Sequence, residues 1–186
     1  MLKKILGALA VALALFSVMA AMQPDAFKVT RSTDVDAATA EVFVQVNNLS
    51  AWKAWSPWAK LDPDAQMSFE GPKEGVGALM RWSGNMEVGE GSMAITESVP
   101  FERIAFKLDF TKPMKGESTA SFTFVSIPET GGARVTWTME GKNGFLAKAM
   151  GLIFNCEKMV GEQFEKGLAN LKQVAEASKR TGTPAQ

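Results

Sequence analysis

Between residues 67 and 141 the chain alternates apolar and polar side chains in one segment after another, and beyond Gly144 that rhythm stops. The cleanest stretch is ERIAFKLDF. Ile104, Phe106, Leu108 and Phe110 share one phase, and Arg103, Ala105, Lys107 and Asp109 share the other. Side chains of a strand point alternately to its two faces, so such a segment buries one face and wets the other. MSFEG and GALMRWSG flank the turn-rich PKEGV and predict a hairpin; EGSMAITESV ends at Pro100; STASFTFVSI and ARVTWTMEG flank a turn at PETGG. From Phe145 to Ser178 there is no proline, and Val160, Phe164, Leu168, Leu171 and Ala175 step by three or four. That spacing predicts one long amphipathic helix, softened at Gly151 or Gly161. A sheet with one greasy face must cover it, and only this last helix is long enough to do so.

Ahead of the meander, FKVTRSTDV predicts a further strand. Asp36 is placed to cap a short helix with Val42, Phe43 and Val46 on one face. A second short helix carries AWKAW and must stop at Ser56, because the residue before Pro57 is pushed out of the helical region. Trp52, Trp55 and Trp58, three of the chain's five tryptophans, fall in this stretch. Trp52 and Trp55 can share one helix face and close the core over the sheet, with Trp58 just beyond as a potential lid. The expected architecture is α+β: a curved antiparallel sheet of six to seven strands around a long C-terminal helix, two short helices after the first strand, and an N-terminal apolar helix. The domain is expected over residues 26–178, with 179–186 as a flexible polar tail.

Residues 1–25 are expected to form a membrane anchor or signal sequence. MLKK precedes an uncharged run over residues 5–22, at the lower edge of a spanning helix. That run exceeds the ~7–15 apolar residues of a signal-peptide core, which favours an uncleaved anchor over cleavage near Val18-Met19-Ala20. Lys3 and Lys4 before the span put the start in the cytoplasm and the domain on the extracytoplasmic, periplasmic side. Cleavage would instead release it into the periplasm.

Composition excludes much chemistry. With no histidine, a Ser-His-Asp or Cys-His arrangement cannot form, and the commonest metal ligand is missing. The lone Cys156 allows neither an internal disulfide nor a thiolate metal cluster; within a predicted helix it is expected to be a small buried residue. Twenty basic and twenty acidic residues balance; without Lys3 and Lys4 the remainder stands at 18 against 20, a net of −2. Neither nucleic acid nor a metal or cofactor is expected as a partner. The glycines fit hairpin turns and bulges, not a phosphate loop. Asp109, Glu140 and Arg81 fall on outward phases, while Glu87 or Glu90 could look into a cavity mouth.

A strongly curved sheet around a helix can enclose a cavity instead of a filled core. Trp55, Trp58, Met80, Trp82, Met93, Phe106, Phe110, Phe124, Trp137, Met139, Val160 and Phe164 are the candidate wall residues. An apolar wall with few polar groups is what a small-molecule site requires, and methionines suit irregular ligands. The same residues equally suit a packed core.

The element order, with WKAWSPW, GPKEGVGALMRWSG, VPFERIAFKLDF and EQFEKGLANLK, resembles the SRPBCC superfamily (START-like, helix-grip). More narrowly it is similar to membrane-anchored polyketide cyclase/dehydrase-like proteins. The resemblance covers the chain after residue 26. It implies a helix-grip fold with an apolar cavity that takes lipids, polyketides or other hydrophobic molecules, and it lends no catalytic residues. The leading expectation is a non-catalytic binding module for a small hydrophobic ligand beside the membrane. The alternatives are a cyclase or dehydratase using a cavity carboxylate, and a membrane-tethered protein-interaction domain.

Overall fold

The computed structural model describes residues 1–181. α1 (Leu2–Ala21) leads into β1 (Ala26–Val35), then α2 (Thr39–Asn47) and α3 (Trp52–Trp55), each of the last two followed by a single 3₁₀ turn. Six strands come next: β2 (Gln66–Glu70), β3 (Leu79–Ser83), β4 (Glu90–Val99), β5 (Arg103–Lys112), β6 (Gly116–Ile127) and β7 (Gly132–Lys142). α4 (Phe145–Gly151) and α5 (Cys156–Thr181) close the described chain. All seven strands form one antiparallel sheet in the order β1-β7-β6-β5-β4-β3-β2. This is the helix-grip architecture that the sequence predicts.

The alternation predicted for β5 appears as burial. Ile104 and Phe106 are sealed, while Arg103 and Lys107 face water. On the sealed face Phe164, Leu168, Leu171 and Ala175 of α5 and Val42, Phe43 and Val46 of α2 complete the core. α5 also covers the β1 edge, where Lys172 donates to the Asp34 carbonyl (2.8 Å) and Arg31 pairs with Glu165 (2.7 Å). Helix and sheet touch closely at Gly167, where a Cβ would lie 2.9 Å from Trp137 Cζ3 and 3.0 Å from Pro57 Cδ. At the opposite edge β2 is short and fully exposed, and Arg81 on the outer face of β3 pairs with Glu70 (2.8 Å).

Three local expectations need correction. The helix predicted over 145–178, with softening expected at Gly151 or Gly161, is fully broken at 152–155, directly after Gly151. The chain turns after Gly151, and the Asn155 carboxamide accepts the Lys158 N–H, starting α5 afresh as an N-cap does. Cys156 therefore opens a helix and is exposed, not buried. Asp36 does not cap α2: the Ala38 N–H donates to the Glu41 carboxylate (2.9 Å), and Asp36 instead pairs with Lys179 (2.8 Å). α5 runs through Thr181, and residues 182–186 of the tail expected at 179–186 lie outside the described residues.

The outer surface carries carboxylates held by cations. Hydrogen bonds from Arg134 to Asp34, from Lys179 to Asp36, from Lys148 to Asp25 and from Lys112 to Glu90 hold each of these carboxyls below its ordinary range. A folded-state pKa below the unfolded value gives stability that is present above the unfolded pKa and lost as pH falls through the folded one. With no histidine to titrate, stability is expected to be flat between about pH 5 and 8 and to decline below about pH 4. Urea midpoints of the detergent-solubilised chain across this range check it. A fall between pH 8 and 5 contradicts it.

Candidate ligand-binding cavity

The register of the sheet decides where its inner face is filled and where it is hollow. Toward one end, Phe122 stands opposite Ile104 and Trp137, and Phe124 opposite Val135. Onto these rings α3 lowers Trp52 and Trp55. The indole of Trp52 donates to the Val46 carbonyl (2.9 Å) and that of Trp55 to the Gln45 carbonyl (3.1 Å). Toward the other end the inward residues shrink. Ala120 stands between Phe106 and Met139, Ser118 between Leu108 and Gly141, and Gly91 between Trp82 and Phe110. At Gly91 a Cβ would lie 2.6 Å from Trp82 Cζ2, so the indole can lie flat across the strand only because that residue is glycine. Beside Ala120 no helix among the described residues fills the remaining space.

What remains is a partly enclosed cavity of about 360 Å³. Nine of the twelve predicted wall residues line it: Met80 and Trp82 of β3, Met93 of β4, Phe110 of β5, Trp137 and Met139 of β7, Val160 and Phe164 of α5, and Trp58. The other three do not. Trp55, Phe106 and Phe124 are packed in the filled end, at 0%, 0% and 4% exposure, because α3 and α2 press on that half of the sheet. Trp58 stands edge-on to Trp137 (5.7 Å) and Phe164 (6.3 Å), and those two rings stack at 4.0 Å and 5°.

Residues outside the predicted twelve complete the wall. Trp52 belongs to the tryptophan cluster and Leu108 to the β5 stripe, so both were on recognisable inward phases. Ala120 matters by being small. Met86 and Val88 come from the β3–β4 connection, which has no period to read. The Trp82 indole donates to the Val88 carbonyl (3.3 Å) and ties this connection across the mouth.

Polar groups are few and sit at the rim. Ser56, Glu87 and Lys112 are the hydrophilic members of the lining. Lys112 is held by Glu90 (2.8 Å), which also accepts from Ser83 (3.1 Å). Glu87, the one acid in the wall, is exposed. Of the two acids considered for the mouth, Glu87 thus lies there, and Glu90 is occupied by Lys112. Inside, the Trp137 indole N–H is buried without a hydrogen-bond partner among the described residues. Among those residues no group of three acids or thiols stands close enough to hold a metal ion.

Residues 26–176 match the family model described as polyketide cyclase / dehydrase and lipid transport. The chain belongs to that family. Solved structures similar to this chain share its fold at low identity. Protein CV1439 from Chromobacterium violaceum is 17% identical, with 83% of this chain and 99% of that one covered and a TM-score of 0.57. Protein MLL2253 from Mesorhizobium loti is 12% identical, covering 82% and 98%, with a TM-score of 0.60. Ara h 8.0201 is 8% identical, covering 82% and 99%, with a TM-score of 0.55. No curated protein is matched by the chain. For this member of the family, the shared architecture therefore supplies the frame, and the chemistry has to be read from the cavity itself.

Proposed function

We infer that this family member is a binding module that holds one small hydrophobic molecule, without chemistry, beside a membrane. The observation that carries the reading is the cavity: about 360 Å³, walled by tryptophan, phenylalanine and methionine, with its only acid exposed at the mouth. That volume lies within the ~300–1,000 Å³ range of ligand sites. At ~30 Å³ per water-sized group it accepts on the order of a dozen non-hydrogen atoms. A single acyl chain of moderate length or a small polyketide-like ring fits this capacity; a two-chain phospholipid does not. Proton-transfer catalysis has little support, since a general acid or base needs a group held within reach of the buried substrate.

The apolar helix α1 supports the membrane half of the reading. It is long and apolar enough to cross a bilayer, and only 6% of its apolar window is buried against the domain. With Lys3 and Lys4 ahead of it, the domain is proposed to stand on the extracytoplasmic side, tethered by α1.

Native mass spectrometry of the chain, before and after mild lipid extraction, tests the binding reading. A bound species of small mass that disappears on extraction is expected; an identical, ligand-free mass in both samples overturns it. Trp58, half-buried at the mouth, is expected to act as a lid. Trp58→Ala should weaken uptake of a fluorescent fatty acid at least five-fold while moving the urea midpoint little. A larger loss of stability than of uptake would make Trp58 scaffold.

A further inference from the structure

α1 meets the domain only through its last turns. Phe16, Ser17 and Ala20 are the members of α1 withdrawn from solvent, and the element packed on α1 is α4. The exit of the chain is tied down at the same place. Asn143 donates its side-chain amide to the Pro24 carbonyl (3.2 Å) and its backbone N–H to the Asp25 carbonyl (2.8 Å). Lys148 of α4, its side chain only 11% exposed, pairs with Asp25. At ~1.5 Å per residue, Phe16 lies ~7.5 Å along the helix from Ala21. If α1 spans a bilayer, α4 is therefore held at the depth of the headgroup–acyl boundary, where interfacial helices seat ~5–10 Å deep.

The surface presented at that level is apolar. Phe145 and Leu146 of α4, Ile153 and Phe154 of the break, and Met159 of α5 are all more than half exposed. Farther along α5, Phe164, Leu168 and Leu171 are buried, so the exposed apolar residues of this region are confined to its first part. Charge does not explain the patch: Lys148 is paired with Asp25 and Lys158 with Glu162. The same segment borders a groove of about 800 Å³ that abuts the ligand cavity. Val160 belongs to both walls, and in the β5–β6 turn Pro113 faces the cavity and Met114 the groove.

We propose that residues 145–159 are a second membrane contact, seated in the bilayer surface beside α1, which brings the Val160 end of the cavity to the acyl boundary. The proposal rests on the reading of α1 as an anchor and not on the identity or presence of a ligand. Burial of five apolar side chains, not attraction to anionic headgroups, drives the contact, so phosphatidylcholine suffices as the lipid.

The exposed native Cys156 provides the probe. The full chain, labelled there with an environment-sensitive fluorophore, is reconstituted into phosphatidylcholine vesicles with and without nitroxide-labelled lipid. The expected result is a blue-shifted emission quenched by at least half. The same label on a Cys156→Ser, Glu129→Cys variant, in the β6–β7 turn at the far end of the strands, should stay unquenched. Ile153→Asp and, separately, Phe154→Asp should each reduce quenching at Cys156 at least two-fold while flotation with the vesicles is unchanged. A protein that floats but shows an unquenched Cys156 label overturns the proposal and leaves the anchor standing. Energy transfer between labelled copies without lipid quenching also overturns it, by making the patch a contact between chains. Failure to float overturns the anchor reading and this proposal with it.

Discussion

Replacing Trp55 with alanine should lower the unfolding free energy by about 3–5 kcal/mol, at the upper end of that range for a buried aromatic. Trp55 is 0% exposed and lies 4.4 Å from Trp52, 5.9 Å from Trp137 and 6.0 Å from Phe122, centroid to centroid. Deleting the indole opens a void that these rings cannot close together, because each is already fixed by its own strand or helix. It also strands the Gln45 carbonyl, which accepts the Trp55 N–H at 3.1 Å and would be left without that partner. For a domain whose total stability is about 5–15 kcal/mol, such a loss removes from about a fifth to all of the reserve. Urea unfolding followed by circular dichroism provides the measurement. Trp55→Phe, which keeps most of the ring and loses the hydrogen bond, should cost about 1–2 kcal/mol. A loss below about 1 kcal/mol for Trp55→Ala would show that α3 is not the closure of the filled end.

The largest effect on binding is expected from adding atoms. Ala120 is 6% exposed, points inward between Phe106 and Met139, and leaves the cavity hollow through its small size. Ala120→Phe places a ring inside about 360 Å³ and should weaken uptake of a fluorescent fatty acid at least ten-fold, about 1.4 kcal/mol. Overpacking costs about 1–3 kcal/mol where a core is already full. Here the ring enters a space without a side chain, so the urea midpoint should hold or rise. Unchanged uptake would mean that the ligand does not occupy this volume. A collapse of stability would mean that the space is closed in solution.

These two residues mark how far the sequence could be read. The alternation in ERIAFKLDF, the steps from Val160 to Ala175 and the stop at Ser56-Pro57 are local, so strand phase, helix face and the end of α3 were legible directly. Trp55 and Trp58 belong to one short motif and share one composition, yet the first is core and the second lies at the cavity mouth. Phe106 and Phe110 share one strand face and divide in the same way. Periodicity reports which way a side chain points, not what stands opposite it. The weak point at Gly151 was legible, but the full break at 152–155 was not, because Asn155 caps α5 from inside an otherwise helical run, and that misplaced Cys156.

By itself, then, the sequence determined the order of elements, the greasy face of the sheet, the helix that covers it and an uncharged run long enough for a membrane. Those properties follow from spacing along the chain, where neighbours a few residues apart set the pattern. Tertiary structure alone decided that β1 pairs with β7, that α2 and α3 fill one half of the concave face, and that the other half stays partly hollow beside Ala120. A cavity exists only where residues distant in sequence fail to meet, and no local pattern records a contact that is not made.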